Sequence, residues 1–195
     1  MLMIQPAIQL LQILFSVLAL TGVDASVQVQ DVNGARFRPF ATDGKAAVIF
    51  FLSTECPISR FYATEIQRIC ASYRSRGIRC SLIFEDLPLT PASVRRHLLE
   101  FSYRDIPAAI DETGSVATQA GASVTPQAVI VDGSRRVRYR GRIDNFYADL
   151  GKSRRQATVH DLADALDAIL AGRLVSNPET KPVGCFITFP EGGRK

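Results

Sequence analysis

Hydrophobic and polar positions alternate along this chain in two distinct rhythms. Residues 46–52, AAVIFFL, are apolar without a break over strand length, the pattern of a strand covered on both faces. Residues 78–85 have a period of two, with Ile78, Cys80, Leu82 and Phe84 on one side. Between these segments Pro57 suits a first helical position, and Tyr62, Ile66, Ile69 and Tyr73 recur at helical spacing up to Gly77. The three segments predict a βαβ unit with parallel strands.

The same reading extends to both sides. Residues 26–40 begin with the alternating SVQVQDV followed by Asn33-Gly34, a strand-and-turn signal. Thr90 as cap and Pro91 behind it open a second helix to about Phe101. Residues 111–120 predict a short helix closed by Gly121. Residues 128–131 and 136–142 flank Asp132-Gly133 as an antiparallel hairpin. Thr158, with Asp161 three residues on, predicts the start of a last helix. Its inner face would be Val159, Leu162, Ala163, Leu166, Ile169 and Leu170. The expected fold is α/β, a mixed central sheet with helices on both faces, over residues 26–172. Residues 173–195 read as a polar tail carrying Cys185.

Residues 7–22 are an apolar run of about signal-peptide length, and residues 1–25 read as a signal peptide cleaved before Ser26, or else as an N-terminal anchor. No Lys or Arg precedes the run. Either outcome places the remainder outside the cytoplasm, periplasmic or secreted, with membrane attachment only if the leader stays uncleaved. The net charge of +4 is spread without basic runs, which argues against a nucleic-acid partner. Four cysteines and two histidines do not make a zinc module, and neither metal nor cofactor is expected.

The chemistry therefore rests on the cysteines. Thr54-Glu55-Cys56-Pro57 lies between a buried strand and a helix N-terminus, where free amides and the helix dipole favour a thiolate. The competing reading is a small buried residue or half-cystine. Val124-Thr125-Pro126 precedes the strand-like QAVIV, an unusual place for proline. A cis bond there would leave the Thr125 backbone free to pair with an extended partner.

The segments FFLSTECP, CPISRFYATEI, VTPQAVIVD, YRGRID and TKPVGC resemble the thioredoxin superfamily, most of all its exported redoxin (AhpC/TSA-related) members. The resemblance covers about residues 30–172. It implies that Cys56 is the nucleophile, Pro126 the cis-proline, and Thr125-Pro126 the wall of a substrate groove. It departs from the dithiol pattern C-x-x-C, because Ser59 stands in the second position. It departs from peroxiredoxins by placing Ile49 where a proline is expected, although Ser53 matches their hydroxyl residue. Arg60 occupies the second cysteine's place in copper chaperones.

The remaining thiols and cations fall into place around this reading. Cys185 is the candidate resolving thiol for Cys56, or a free or structural cysteine. Cys70 and Cys80 are a possible structural disulfide or plain core residues. Ser53, Pro57, Arg60 and Arg142 are candidates to support the thiolate. Arg138, Arg140 and Arg142 share one strand face, with Asp144 a candidate partner for Arg142. The expected function is thiol-dependent oxidoreduction of a protein or small-molecule disulfide or peroxide, reset by an external thiol reductant. The alternatives are a peroxiredoxin-like thiol peroxidase and a non-catalytic binding module or metallochaperone.

Overall fold

The computed structural model describes residues 22–189. Residues 1–21, which hold most of the predicted leader, lie outside it. In chain order the elements are β1 (Val29–Gln30), β2 (Arg36–Phe37), β3 (Ala46–Leu52), α1 (Pro57–Phe61), α2 (Ala63–Arg74), β4 (Ile78–Phe84), α3 (Pro91–Glu100) and β5 (Ala108–Ile110). They continue with α4 (Ser115–Ala120), β6 (Val124–Thr125), β7 (Gln127–Asp132), β8 (Val137–Gly141), β9 (Tyr147–Asp149), β10 (Lys152–Ser153), α5 (Asp161–Leu170) and β11 (Cys185–Phe186).

The central sheet has five strands in the order β5-β4-β3-β7-β8. β4 runs parallel to both β3 and β5, whereas β7 runs antiparallel to β3 and β8. The unbroken apolar run of β3 has a simple cause. Ala46, Val48, Phe50 and Leu52 enter one core with Ile66, Ile69 and Tyr73 of α2 and Leu162 and Leu166 of α5. Ala47, Ile49 and Phe51 enter a second core with Val116, Ala117 and Ala120 of α4. Helices thus cover both faces, as the pattern predicts.

Several local expectations change. The helix foreseen from Pro57 is two helices, because Tyr62 ends α1 and begins α2. The segment expected as a helix from residue 111 begins its helix only at Ser115, after a turn at φ +67° on Gly114. Asp111 precedes the turn, and its carboxylate accepts the N–H groups of Ser115, Val116 and Ala117 at 2.8–3.0 Å. The short edge strand β5 just before it carries too few residues to show a period. Thr158 is not the cap of α5: His160 holds that place, and the Thr158 hydroxyl accepts the Asn145 side-chain N–H at 2.9 Å. Val159 accordingly faces out, 39% exposed.

The segment after α5 is folded onto the sheet rather than loose. The Arg140 N–H bonds the Pro178 carbonyl at 2.9 Å, and Thr180 returns a bond to the Arg140 carbonyl at 3.1 Å. The Thr180 hydroxyl sits 2.7 Å from the buried Tyr139 hydroxyl. A Cβ on Gly141 would fall 2.1 Å from that same hydroxyl, so glycine is what lets the segment approach. β11 then pairs antiparallel with β6, and Ile187 enters the second core. At the other terminus Val23 packs in that core too, its N–H bonded to the Arg135 carbonyl at 2.9 Å.

Phe50 lies fully buried at the centre of the sheet. Phe50→Ala should cost about 3–5 kcal/mol through lost apolar contact and the cavity left behind. Urea unfolding followed by circular dichroism measures that loss.

Candidate active site

The loop from β3 into α1 is held by its own hydroxyls. The Ser53 hydroxyl accepts the N–H groups of Glu55 and Cys56 at 3.1 and 3.0 Å. Thr54 bonds Asp86 through its N–H at 3.0 Å and its hydroxyl at 2.5 Å. Arg60 Nε reaches back to the Thr54 carbonyl at 2.7 Å. Cys56 is thereby set at the N-cap of α1, with Pro57 supplying the first helical residue. Its side chain is buried, 1% exposed.

Across from this sulfur stands the loop leading into β7. The Thr125–Pro126 bond is cis. The Cys56 thiol donates to the Thr125 carbonyl at 3.2 Å. β11 lies on the other side of Thr125, with Cys185 opposite Thr125 and Phe186 opposite Val124. Three chain segments far apart in sequence therefore meet at one sulfur.

The two thiols are unlike. Burial raises the Cys56 pKa, but the Cys185 thiol and amide together with the Ser59 amide and hydroxyl outweigh it, and the net shift is downward. Cys185 is pushed up to about 11, by burial first and then by the Cys56 sulfur beside it. Of the two thiols, Cys56 is therefore the one that gives up its proton more readily.

Glu85 is the unexpected member of the neighbourhood. It follows β4, is 5% exposed, and its Oε1 has no hydrogen-bond partner among the described residues. Burial, and after it the charges of Asp111 and Asp86, push its pKa up to about 9. With Ser53, Leu87, Thr125 and Cys185 it lines a cleft of about 420 Å³.

The predicted site residues divide sharply. Cys56, Cys185, Thr125 and Pro126 come together, with Pro57 at the helix start. Ser53 sits in the loop, but its hydroxyl is used on backbone amides. Arg60 is bound to Thr54 and faces Glu55 at 3.8 Å, so its charge supports the loop rather than the sulfur. Arg142 forms a two-pronged pair with Asp161 at 2.7 and 3.3 Å, which fixes the start of α5. Asp144, the candidate partner for Arg142, instead accepts the Tyr62 hydroxyl at 2.5 Å. Arg138 and Arg140 pair with Asp132 and Glu179, each at 2.9 Å. Cys70 and Cys80 lie side by side between α2 and β4 as unbonded thiols, and burial and then Cys80 raise the Cys70 pKa well above the thiol range.

Two residues escaped the sequence reading. Ser59 was visible only as the thiol missing from C-x-x-C, although a hydroxyl one turn into a helix can reach back to its N-cap. Glu85 ends a run that alternates as a strand, and nothing in the pattern marks its burial.

No family model matches the chain, and no curated protein matches it. Solved structures do. A hypothetical protein of Sinorhizobium meliloti is 27% identical, with a TM-score of 0.75 over 88% of this chain and 95% of that one. An uncharacterized conserved protein of Geobacillus kaustophilus is 25% identical, with a TM-score of 0.76 over 88% and 93%. A secreted Mycobacterium tuberculosis disulfide oxidoreductase is 14% identical, with a TM-score of 0.53 over 76% and 96%.

Two outcomes follow from the charges at the site. Iodoacetamide should label Cys56 in preference to the other thiols at neutral pH, and Ser59→Ala should move the midpoint of its labelling profile to higher pH. Peptide mass spectrometry across a pH series reads both. Glu85 keeps its proton when folded and loses it when unfolded between about pH 4.5 and about 9, so that group lowers stability as pH rises through this window. Glu85→Gln should therefore flatten the decline and be more stable than the parent at pH 8, with the gain shrinking toward pH 4. Thermal melts across that range measure it.

Proposed function

We propose that this chain, whose fold is thioredoxin-like, is a thiol-disulfide oxidoreductase whose redox pair is Cys56 and Cys185. The observation that carries this reading is the meeting of the Cys56 sulfur, at a helix N-terminus, with the Cys185 thiol across the cis-Pro126 loop. The pair does the work of C-x-x-C, but its second member arrives from the C-terminal segment.

The chemistry runs in two exchanges. The Cys56 thiolate attacks one sulfur of a substrate disulfide; a bond forms between them, the substrate S–S bond breaks, and the leaving thiolate takes a proton. Cys185 then loses its proton and attacks the Cys56 sulfur, which forms the Cys56–Cys185 disulfide and expels the second substrate thiol. Two protein thiols are oxidised and one substrate disulfide is reduced. An external thiol reverses the protein's oxidation. Ser59 and the α1 amides favour Cys56 both as attacking thiolate and as leaving group. The high pKa of Cys185 makes it the slower nucleophile and leaves Cys56 as the point of entry.

Peroxide as substrate gains less support. Polarising a peroxide takes a free hydroxyl and an arginine beside the sulfur, and here the Ser53 hydroxyl, Arg60 and Arg142 all have other partners. An extracytoplasmic setting accords with the apolar leader and with the secreted disulfide oxidoreductase among the structural neighbours.

The test is turnover of a small chromogenic disulfide with dithiothreitol as reductant. Cys56→Ser should lose activity by at least 100-fold. Cys185→Ser should accumulate a mixed disulfide on Cys56, seen as an added substrate mass in the intact protein. Equal turnover by the Cys56 variant would refute the assignment.

A further inference from the structure

The cis-Pro126 loop presents a short strand edge beside the reactive sulfur. Backbone groups on such an edge take up an extended chain by strand addition, and side-chain contacts then add selectivity. In this protein the edge is already filled. Cys185 and Phe186 pair antiparallel with Thr125 and Val124, and the Ile187 N–H bonds the Ser123 carbonyl at 2.9 Å. The Thr125 hydroxyl adds a bond to the Cys185 carbonyl at 3.4 Å.

The approach is built into the sequence of the segment. A Cβ on Gly184 would lie 2.0 Å from the Thr125 carbonyl oxygen and 3.1 Å from Pro126, so only glycine admits the chain this close. The segment is anchored on both sides of that contact. Upstream, Thr180 is held against Tyr139, and Glu179 pairs with Arg140. Downstream, Ile187 is 8% exposed and sits in the second core. Phe186, between the paired cysteine and this anchor, points outward at 82% exposure. The result is an extended strand that delivers a cysteine to Cys56.

We infer that residues 183–187 are a built-in substrate mimic, which keeps extended protein chains off the Thr125 edge and restricts the enzyme to small disulfides. The inference rests on the redox reading above and names the substrate class of that site. The cleft lined by Ser53, Glu85, Thr125 and Cys185 opens on the Cys185 side of the pair, where a small disulfide enters without displacing the strand. A polypeptide needs the edge itself, and the seated segment must leave before it can bind.

Gly184→Val in the full chain unseats the segment by steric conflict with Thr125, and Ile187→Ser loosens it by removing its anchor. The first readout involves no chemistry. A fluorescein-labelled peptide of residues 181–189 carrying Cys185→Ser is titrated with each protein and followed by anisotropy. The parent should show no saturable binding at micromolar protein, and at least one of the two variants, confirmed as folded by circular dichroism, should bind. The second readout is the ratio of rates on reduced-insulin formation and on the small chromogenic disulfide, with dithiothreitol in excess. The parent should favour the small disulfide at least tenfold, and the variants should shift that ratio at least fivefold toward insulin. Peptide binding to the parent equal to that of the variants, or an unchanged rate ratio in a folded variant, overturns the mimic. A parent without disulfide turnover overturns the redox reading instead, and the peptide titration then decides the mimic by itself.

Discussion

The backbone of Thr125 is the junction on which the site depends. Its carbonyl accepts the Cys56 thiol, its edge pairs with Cys185, and its peptide bond to Pro126 is cis. Polar backbone groups buried beside a sheet must find partners, and an unpaired one costs free energy comparable to a lost hydrogen bond. Here the partners are the Cys56 sulfur on one side and the C-terminal strand on the other. The same requirement that completes the fold therefore brings the second thiol to the first.

That arrangement also moves the two thiol pKa values in opposite directions. An isolated thiol buried like Cys56 would resist ionisation. The Cys185 thiol and the Ser59 amide and hydroxyl reverse the balance, and Cys185 is pushed up to about 11 as the counterpart. The cationic side chains serve elsewhere. Arg60 ties the loop through Thr54, and Arg142 locks α5 through Asp161. Donor groups at short range thus lower the pKa of Cys56, and the arginines set the geometry around it.

Glu85 shows the opposite economy. It lines the same cleft as Cys185, has an unpartnered oxygen and holds its proton well above the carboxylate range. Such a residue lowers stability at neutral pH. Ser53 and Thr125 share that cleft wall, so the destabilising carboxyl sits among residues that also hold the Cys56 loop and its partner strand.

Much of the architecture was legible in the sequence, for a local reason. Period-two alternation, the unbroken AAVIFFL run and the helical spacing behind Pro57 reflect which faces are buried, and burial on a face repeats along an element. The position of Cys56 was legible because a cysteine between a buried strand and a helix start is a local signal. The short β5, the break at Tyr62 and the true cap of α5 were less so, because a few residues carry no period and a hydroxyl such as that of Thr158 can be claimed by a distant Asn145. What only the tertiary structure decided is partnership across long separations. Arginines on one strand face found Asp132, Glu179 and Asp161, and the polar-looking tail became a strand paired with Thr125 beside Cys56. The chain's own pattern determined its layers and the place of Cys56 at a helix start; which groups surround that cysteine depended on contacts whose distance along the chain leaves no periodic trace.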